Sequence, residues 1–176
     1  MRNSIVVFGS FVADLTARGP RLPVKGETVL GSSFQIGPGG KGFNQAVAAH
    51  KAGGKVTIAT KIGTDVFSSL ATETMRALGM DETYVFRTDA VNTGTAVIAV
   101  SEQTGQNQIM IIPGACDTIT KEEVLSLVPV LESAGMLMTQ LETNWDATKH
   151  VIRLSKQYGV KVLLNPAPAR NLPDQI

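Results

Sequence analysis

Gly37-Pro38-Gly39-Gly40-Lys41-Gly42-Phe43-Asn44-Gln45-Ala46-Val47-Ala48-Ala49 carries a glycine-dense loop straight into a helix of small residues. Glycine reaches positive φ angles without a Cβ clash and lets a ligand approach backbone amides closely. The first amides of such a helix have no intrahelical partner, and the helix dipole adds partial positive charge beside them. Lys41 contributes a full charge at the same place. The pattern predicts a ligand site built largely from backbone, with the electron-rich oxygens of a phosphate or a polyol as its guests.

Two glycine motifs compete for this loop. A Walker A loop requires Ser or Thr after the Gly-Lys pair to reach magnesium, but Gly40-Lys41 is followed by Gly42, and Gln35 stands where the leading glycine belongs. That reading fails. Gly37, Gly39 and Gly42 fit G-x-G-x-x-G, yet the strand that follows ends in Lys61 rather than in an acid that could hold a ribose. Taken alone, the glycines could equally form a tight turn with no ligand.

Outward from the loop, short apolar runs alternate with helical stretches, the signature of a parallel sheet covered by helices. Core strands are expected at residues 4–9, 56–60, 136–139 and 160–164, and helices at 43–52, 66–78, 121–133 and 145–158. Gly53-Gly54, Gly79, Gly135 and Gly159 follow those helices as stops. Thr120 and Glu123 make a capping box, and Pro129 should kink or shorten the helix it interrupts. Segments 27–36 and 95–112 read instead as extended chain, the second folded into a hairpin about Glu102-Gln103-Thr104-Gly105-Gln106, so a small separate sheet is expected. Ile109 and Ile111 share one face of that hairpin, Met110 and Ile112 the other. Both faces are therefore apolar. A sheet so narrow could not stand exposed on both; packing of its strands on the main core is the alternative.

The composition is that of an ordinary globular domain: 176 residues, 43% hydrophobic and 18% charged, with a formal net charge of +1. No basic run offers a footprint for nucleic acid or an anionic membrane, so neither is expected as a partner. The one cysteine, Cys116, excludes an internal disulfide and is read as a small, semi-buried packing residue. The apolar run 5–12 is explained by a strand rather than a signal peptide, and a cytoplasmic protein is expected. His50 and His150 show no metal-ligand spacing, and no metal residues are assigned.

A longer, ordered set of motifs is more specific: Val7-Phe8-Gly9-Ser10-Phe11-Val12-Ala13-Asp14, Pro23-Val24-Lys25-Gly26-Glu27-Thr28, the glycine loop, Thr93-Gly94, Pro113-Gly114-Ala115, Gln140-Leu141-Glu142 and Asn165-Pro166-Ala167-Pro168-Ala169. Together these resemble the ribokinase family of PfkB-type sugar kinases over almost the whole chain. The resemblance implies an α/β fold, a mostly parallel sheet flanked by helices, with a β lid inserted at about 25–37 and 94–113. It also implies a sugar-binding set of Val12, Asp14, Gly39, Gly40, Lys41, Asn44 and Glu142 beneath lid residues Ala96, Ile109 and Ile111. The residue types suit a sugar, since carboxylates accept hydrogen bonds from hydroxyls while lysine and amide groups donate to them. Each has a plainer reading on its own: Asp14 a turn residue, Lys41 a solvated charge, Asn44 a first-turn residue, Glu142 a helix cap, and Asp65 of Gly63-Thr64-Asp65 likewise a cap.

Relatives of this kind commonly have Asn where Val12 stands, and a valine cannot engage a sugar hydroxyl. Acceptance of 2-deoxyribose at least as well as ribose is the resulting expectation. The resemblance further implies phosphoryl transfer from ATP to a primary hydroxyl, with magnesium and often a monovalent cation, and a homodimer formed through the lid. The family's later motifs, including the catalytic base, would lie beyond Ile176. The chain is therefore expected to hold the sugar-binding half, without a catalytic residue and inactive alone, its open sheet edge covered by a companion segment or by association. A non-catalytic sugar-binding protein, a fructose or nucleoside kinase, and a dinucleotide enzyme are the alternatives.

Overall fold

A computed structural model describes residues 3–173. Five parallel strands, β1 (Ser4–Phe8), β4 (Lys55–Ile62), β5 (Val85–Arg87), β8 (Ala134–Thr139) and β9 (Lys161–Leu164), lie in the order β5-β4-β1-β8-β9. Four more, β2 (Val12–Gly19), β3 (Ser33–Gly39), β6 (Gly94–Ser101) and β7 (Asn107–Ile112), form a second, mixed sheet in the order β3-β2-β6-β7. In it β2 runs parallel to β6, while β3 and β7 are antiparallel to their neighbours.

The central strand shows why the first sheet has two covered faces. Alternate side chains of β1 point to opposite sides, so Val6 and Phe8 join a core with Leu127, Leu131, Leu137 and Val151. Val7 joins the opposite core with Phe43, Ile58 and Met75. The first core is roofed by α3 (Lys121–Leu125), α4 (Val128–Ser133) and α5 (Trp145–Gln157), the second by α1 (Lys41–Lys51) and α2 (Ser68–Leu78). The chain winds from β1 outward through β4 and β5, then returns to β8 on the other flank. The topological switch point therefore falls between β1 and β8, and ligands of open α/β sheets bind beyond the carboxyl ends of the strands at such a point.

The expected core strands and helices are present, and several boundaries need correction. The helix expected over 121–133 is two: α3 opens on the Thr120–Glu123 capping box, and α4 carries Pro129 in its first turn, where the missing amide costs nothing. Gly135 is no helix stop but lies inside β8, whereas Gly53, Gly79 and Gly159 do take positive φ. Residues 25–32, expected as lid strand, form a turn and irregular chain. Glu27 closes the turn on Arg21 and on the Val24 amide, and those hydrogen bonds hold its carboxyl down at about 2. Gly37, Pro38 and Gly39 belong to a strand rather than a loop, as does Asp14.

Candidate functional site

After β1 the chain crosses to the second sheet through Gly9, Ser10 and Phe11, and the start of α1 packs against this crossing. Gly9 and Gly42 meet backbone to backbone: a Cβ on Gly42 would lie 2.6 Å from Gly9 Cα and 2.6 Å from the Ser10 nitrogen. On the other side of Gly9, a Cβ would run into the amide oxygen of Gln140. Buried Gln140 donates from Nε2 to Gln45 Oε1 at 2.5 Å, tying the end of β8 to α1, while its own Oε1 has no hydrogen-bond partner among the described residues. Gly40 caps α1 at φ 94°, a conformation that favours glycine.

The helix start does attract an anion, but the anion is the protein's own. Glu142 follows β8, and its Oε2 accepts the Lys41 backbone N–H at 2.8 Å and the Ser10 hydroxyl at 2.6 Å. Its Oε1 pairs with Lys41 Nζ at 3.1 Å, and the Glu142 side chain is only 8% exposed. The Phe43 amide donates to Ser10 O. Part of the helix start expected to cradle a ligand is thus taken by Glu142, since a buried carboxylate gains from an unpaired amide and the positive end of a helix.

The expected side chains converge. Val12, Asp14, Gly40, Lys41, Asn44 and Glu142 line a cavity of about 200 Å³ together with Ala96, Ile98, Ile109 and Ile111. Gly39, expected in the set, is absent from the wall. Its bareness leaves room for the Asp14 carboxylate, which a Cβ there would displace from its present position. Strand register explains the composition: Asp14 pairs laterally with Ala96, and Ala96 with Ile111, so the three share the face turned to the cavity. Burial, and secondarily the negative charge of Glu142, push the Asp14 carboxyl above its ordinary 3.8. The sheet wall is thus apolar except for Asp14, while the helix start and the loop after β8 bring Lys41, Asn44 and Glu142, and the volume lies below the roughly 300–1,000 Å³ of sites for drug-sized ligands. Ile98 escaped the sequence reading because its face is set by pairing with a strand some eighty residues away in sequence. Ser10 escaped because a lone serine carries no pattern.

Other candidates resolve as structural. Lys61 is buried and paired with Glu123 at 2.9 Å, donating also to Thr118 O, so it fastens β4 to the next layer rather than facing a ligand. Asp65 is not the α2 cap; it accepts the Phe67 and Thr93 amides and pins two loops together. The cap ahead of α5 is Asn144, which leaves Glu142 free of the capping role. Cys116 is fully buried rather than semi-buried, and burial raises its thiol pKa. Two wider grooves, about 480 and 550 Å³, lie elsewhere and gather no comparable set of charges. Beside the cavity, sharing Ile111 and Glu142 with it, is a crevice of about 240 Å³ where the Trp145 ring lies 4.8 Å from the Arg170 guanidinium. No helix among the described residues is long and apolar enough to cross a membrane.

Residues 2–176 match the family described as pfkB family carbohydrate kinase. A deoxyribokinase of Salmonella typhi is 38% identical over 165 residues, covering 94% of this chain and 54% of that protein. A ribokinase of Bacillus subtilis is 37% identical over 175 residues, covering 99% of this chain and 59% of that protein. Among solved structures, Arabidopsis thaliana ribokinase complexed with ribose and ATP superposes with a TM-score of 0.79 at 29% identity, covering 95% of this chain and 54% of that one. The chain spans about half the length of the curated relatives it matches.

Proposed function

Because this chain belongs to the pfkB family of carbohydrate kinases, we propose that its cavity holds the sugar of an ATP-dependent pentose kinase. One observation carries this reading: two carboxylates, an ammonium and a carboxamide from three separate segments, β2, the start of α1 and the loop after β8, meet beside apolar lid side chains in a space of monosaccharide size. Asp14 and Glu142 accept hydrogen bonds from hydroxyls, Lys41 and Asn44 donate to them, and the mixed sheet is the lid. The proposed reaction joins the primary hydroxyl oxygen to the γ-phosphorus of ATP, breaks the β–γ P–O bond and delivers the hydroxyl proton to a base. These residues bind and orient the sugar, and we assign the base and the nucleotide to none of them. No group of three or more His, Cys, Asp or Glu side chains converges among the described residues, and no step is routed through a metal ion.

Val12 sets the choice of sugar. It stands in the cavity wall, 2% exposed, where a polar residue would meet a hydroxyl. A site that hydrogen-bonds a hydroxyl discriminates strongly for it, whereas an apolar contact does not. Calorimetric titration of the chain with 2-deoxyribose and ribose is expected to give an affinity for the deoxy sugar at least equal to that for ribose. Val12→Asn should then shift the ratio toward ribose by about tenfold. Strong preference of the unaltered chain for ribose ends the deoxyribose assignment, and no binding of either sugar ends the pentose assignment.

The lid carries the second half of the proposal, a homodimer. Ile109 and Ile111 on the cavity face are 58% and 41% exposed, and Phe34, Val97 and Met110 on the other face are 63%, 51% and 69% exposed. Apolar surface on both sides of a four-stranded sheet favours association. Sedimentation at micromolar concentration should report a dimer, and substituting Met110 and Val97 with lysine should give a monomer. A monomeric unaltered chain overturns this part.

A further inference from the structure

We propose that Ser10 is a positioning residue for the sugar site, acting through Glu142; the inference rests on the pentose-binding reading and deepens it. Ser10 has no exposed surface, so it does not touch solvent or a ligand directly. Its hydroxyl nevertheless makes a short contact, 2.6 Å, with the very oxygen of Glu142 that also takes the Lys41 amide. The same residue's carbonyl accepts the Phe43 amide, so Ser10 joins the end of β1, the start of α1 and the segment after β8 at one point.

The geometry explains a second requirement of the loop. Gly40 must be bare, since a Cβ there would lie 2.8 Å from Ser10 O and 3.0 Å from Ser10 Oγ. With Ser10 in place, Glu142 Oε2 is occupied by two donors from its protein side and Oε1 by the Lys41 ammonium. The carboxylate plane is thereby fixed, and its remaining acceptor directions are those open to the cavity it lines. Without the hydroxyl, one amide and one partly exposed lysine would hold Glu142, and a carboxylate rotates readily about its last side-chain torsion. Sites of this kind lose function when such supporting contacts are left loose.

The test is a double-mutant cycle on the full chain, using Ser10→Ala, Glu142→Gln and the pair, read both by urea unfolding and by calorimetric titration with 2-deoxyribose and ribose. The expected result is about a tenfold loss of pentose affinity for Ser10→Ala in a folded chain, and little further loss when it is added to Glu142→Gln. A merely structural serine would lower affinity by the same factor in both backgrounds, and that result overturns the proposal. Should the unaltered chain bind neither pentose, the pentose reading fails and the unfolding cycle decides about Ser10. Coupling between the two positions then supports the hold on Glu142, and additive effects remove it.

Discussion

Asp14→Ala is expected to weaken pentose binding by about a hundredfold while leaving the chain folded. A hydrogen bond to a charged group contributes about 1.5–3 kcal/mol, and each 1.4 kcal/mol is about tenfold in affinity, so losing even one or two such bonds to sugar hydroxyls suffices. Stability should move little, because Asp14 is held folded at some cost: burial, with Glu142 nearby, raises its pKa above 3.8. The sign of the pH dependence follows. The folded chain takes up a proton at Asp14 before the unfolded chain does, so stability rises as pH falls from the raised value toward 3.8. Sugar affinity changes the opposite way, because protonation removes the acceptor. Titrations across that window should show affinity falling on acidification through a midpoint above 3.8, with Asp14→Asn weak at every pH. An affinity independent of both the substitution and pH would remove Asp14 from the site.

The second large effect is on the fold. Gly42→Ala should destabilise the chain by about 3 kcal/mol or more, the upper range for overpacking a tight contact, because the three atoms nearest a new Cβ are all backbone, at 2.5–2.6 Å. Backbone at the crossing from β1 cannot swing aside as a side chain can. Gly53→Ala is the matched control: its φ is +86° but nothing lies within 4 Å of the added atom, so only the left-handed penalty of about 1–2 kcal/mol applies. Urea denaturation should separate the two, and equal losses would show that the Gly9–Gly42 contact yields more easily than its distances imply.

What could be read from the sequence divides along a physical line. Buried strands such as Ser4–Phe8 announce themselves by continuous apolar runs, so four of the five main-sheet strands were legible to within about two residues, whereas β5, only three residues long, was not expected. The mixed sheet was only half legible. Val12–Gly19 alternates Asp14, Thr16 and Arg18 against apolar neighbours, a strand signal that went unread, and its parallel partner Gly94–Ser101 is too distant for any local signal of the pairing. Gly37-Pro38-Gly39 reads as a turn, yet β3 is an edge strand, where proline's missing donor is harmless. Among site residues, charge made Asp14, Lys41 and Glu142 conspicuous. The use to which the helix start is put could not be foreseen, because whether an amide meets a ligand or a glutamate depends on the loop after β8. Lys61, which argues against a dinucleotide site by its position alone, turns out to be occupied by Glu123.

Trp145 is the sole tryptophan of the chain, and its indole stands in the crevice that shares Glu142 and Ile111 with the cavity proposed for the sugar, within 4.8 Å of one cation and 5.7 Å of another. Indole emission responds to the electric field and wetting around the ring. Occupancy of the neighbouring cavity is therefore expected to change the emission of this one indole, an optical gauge that needs no label.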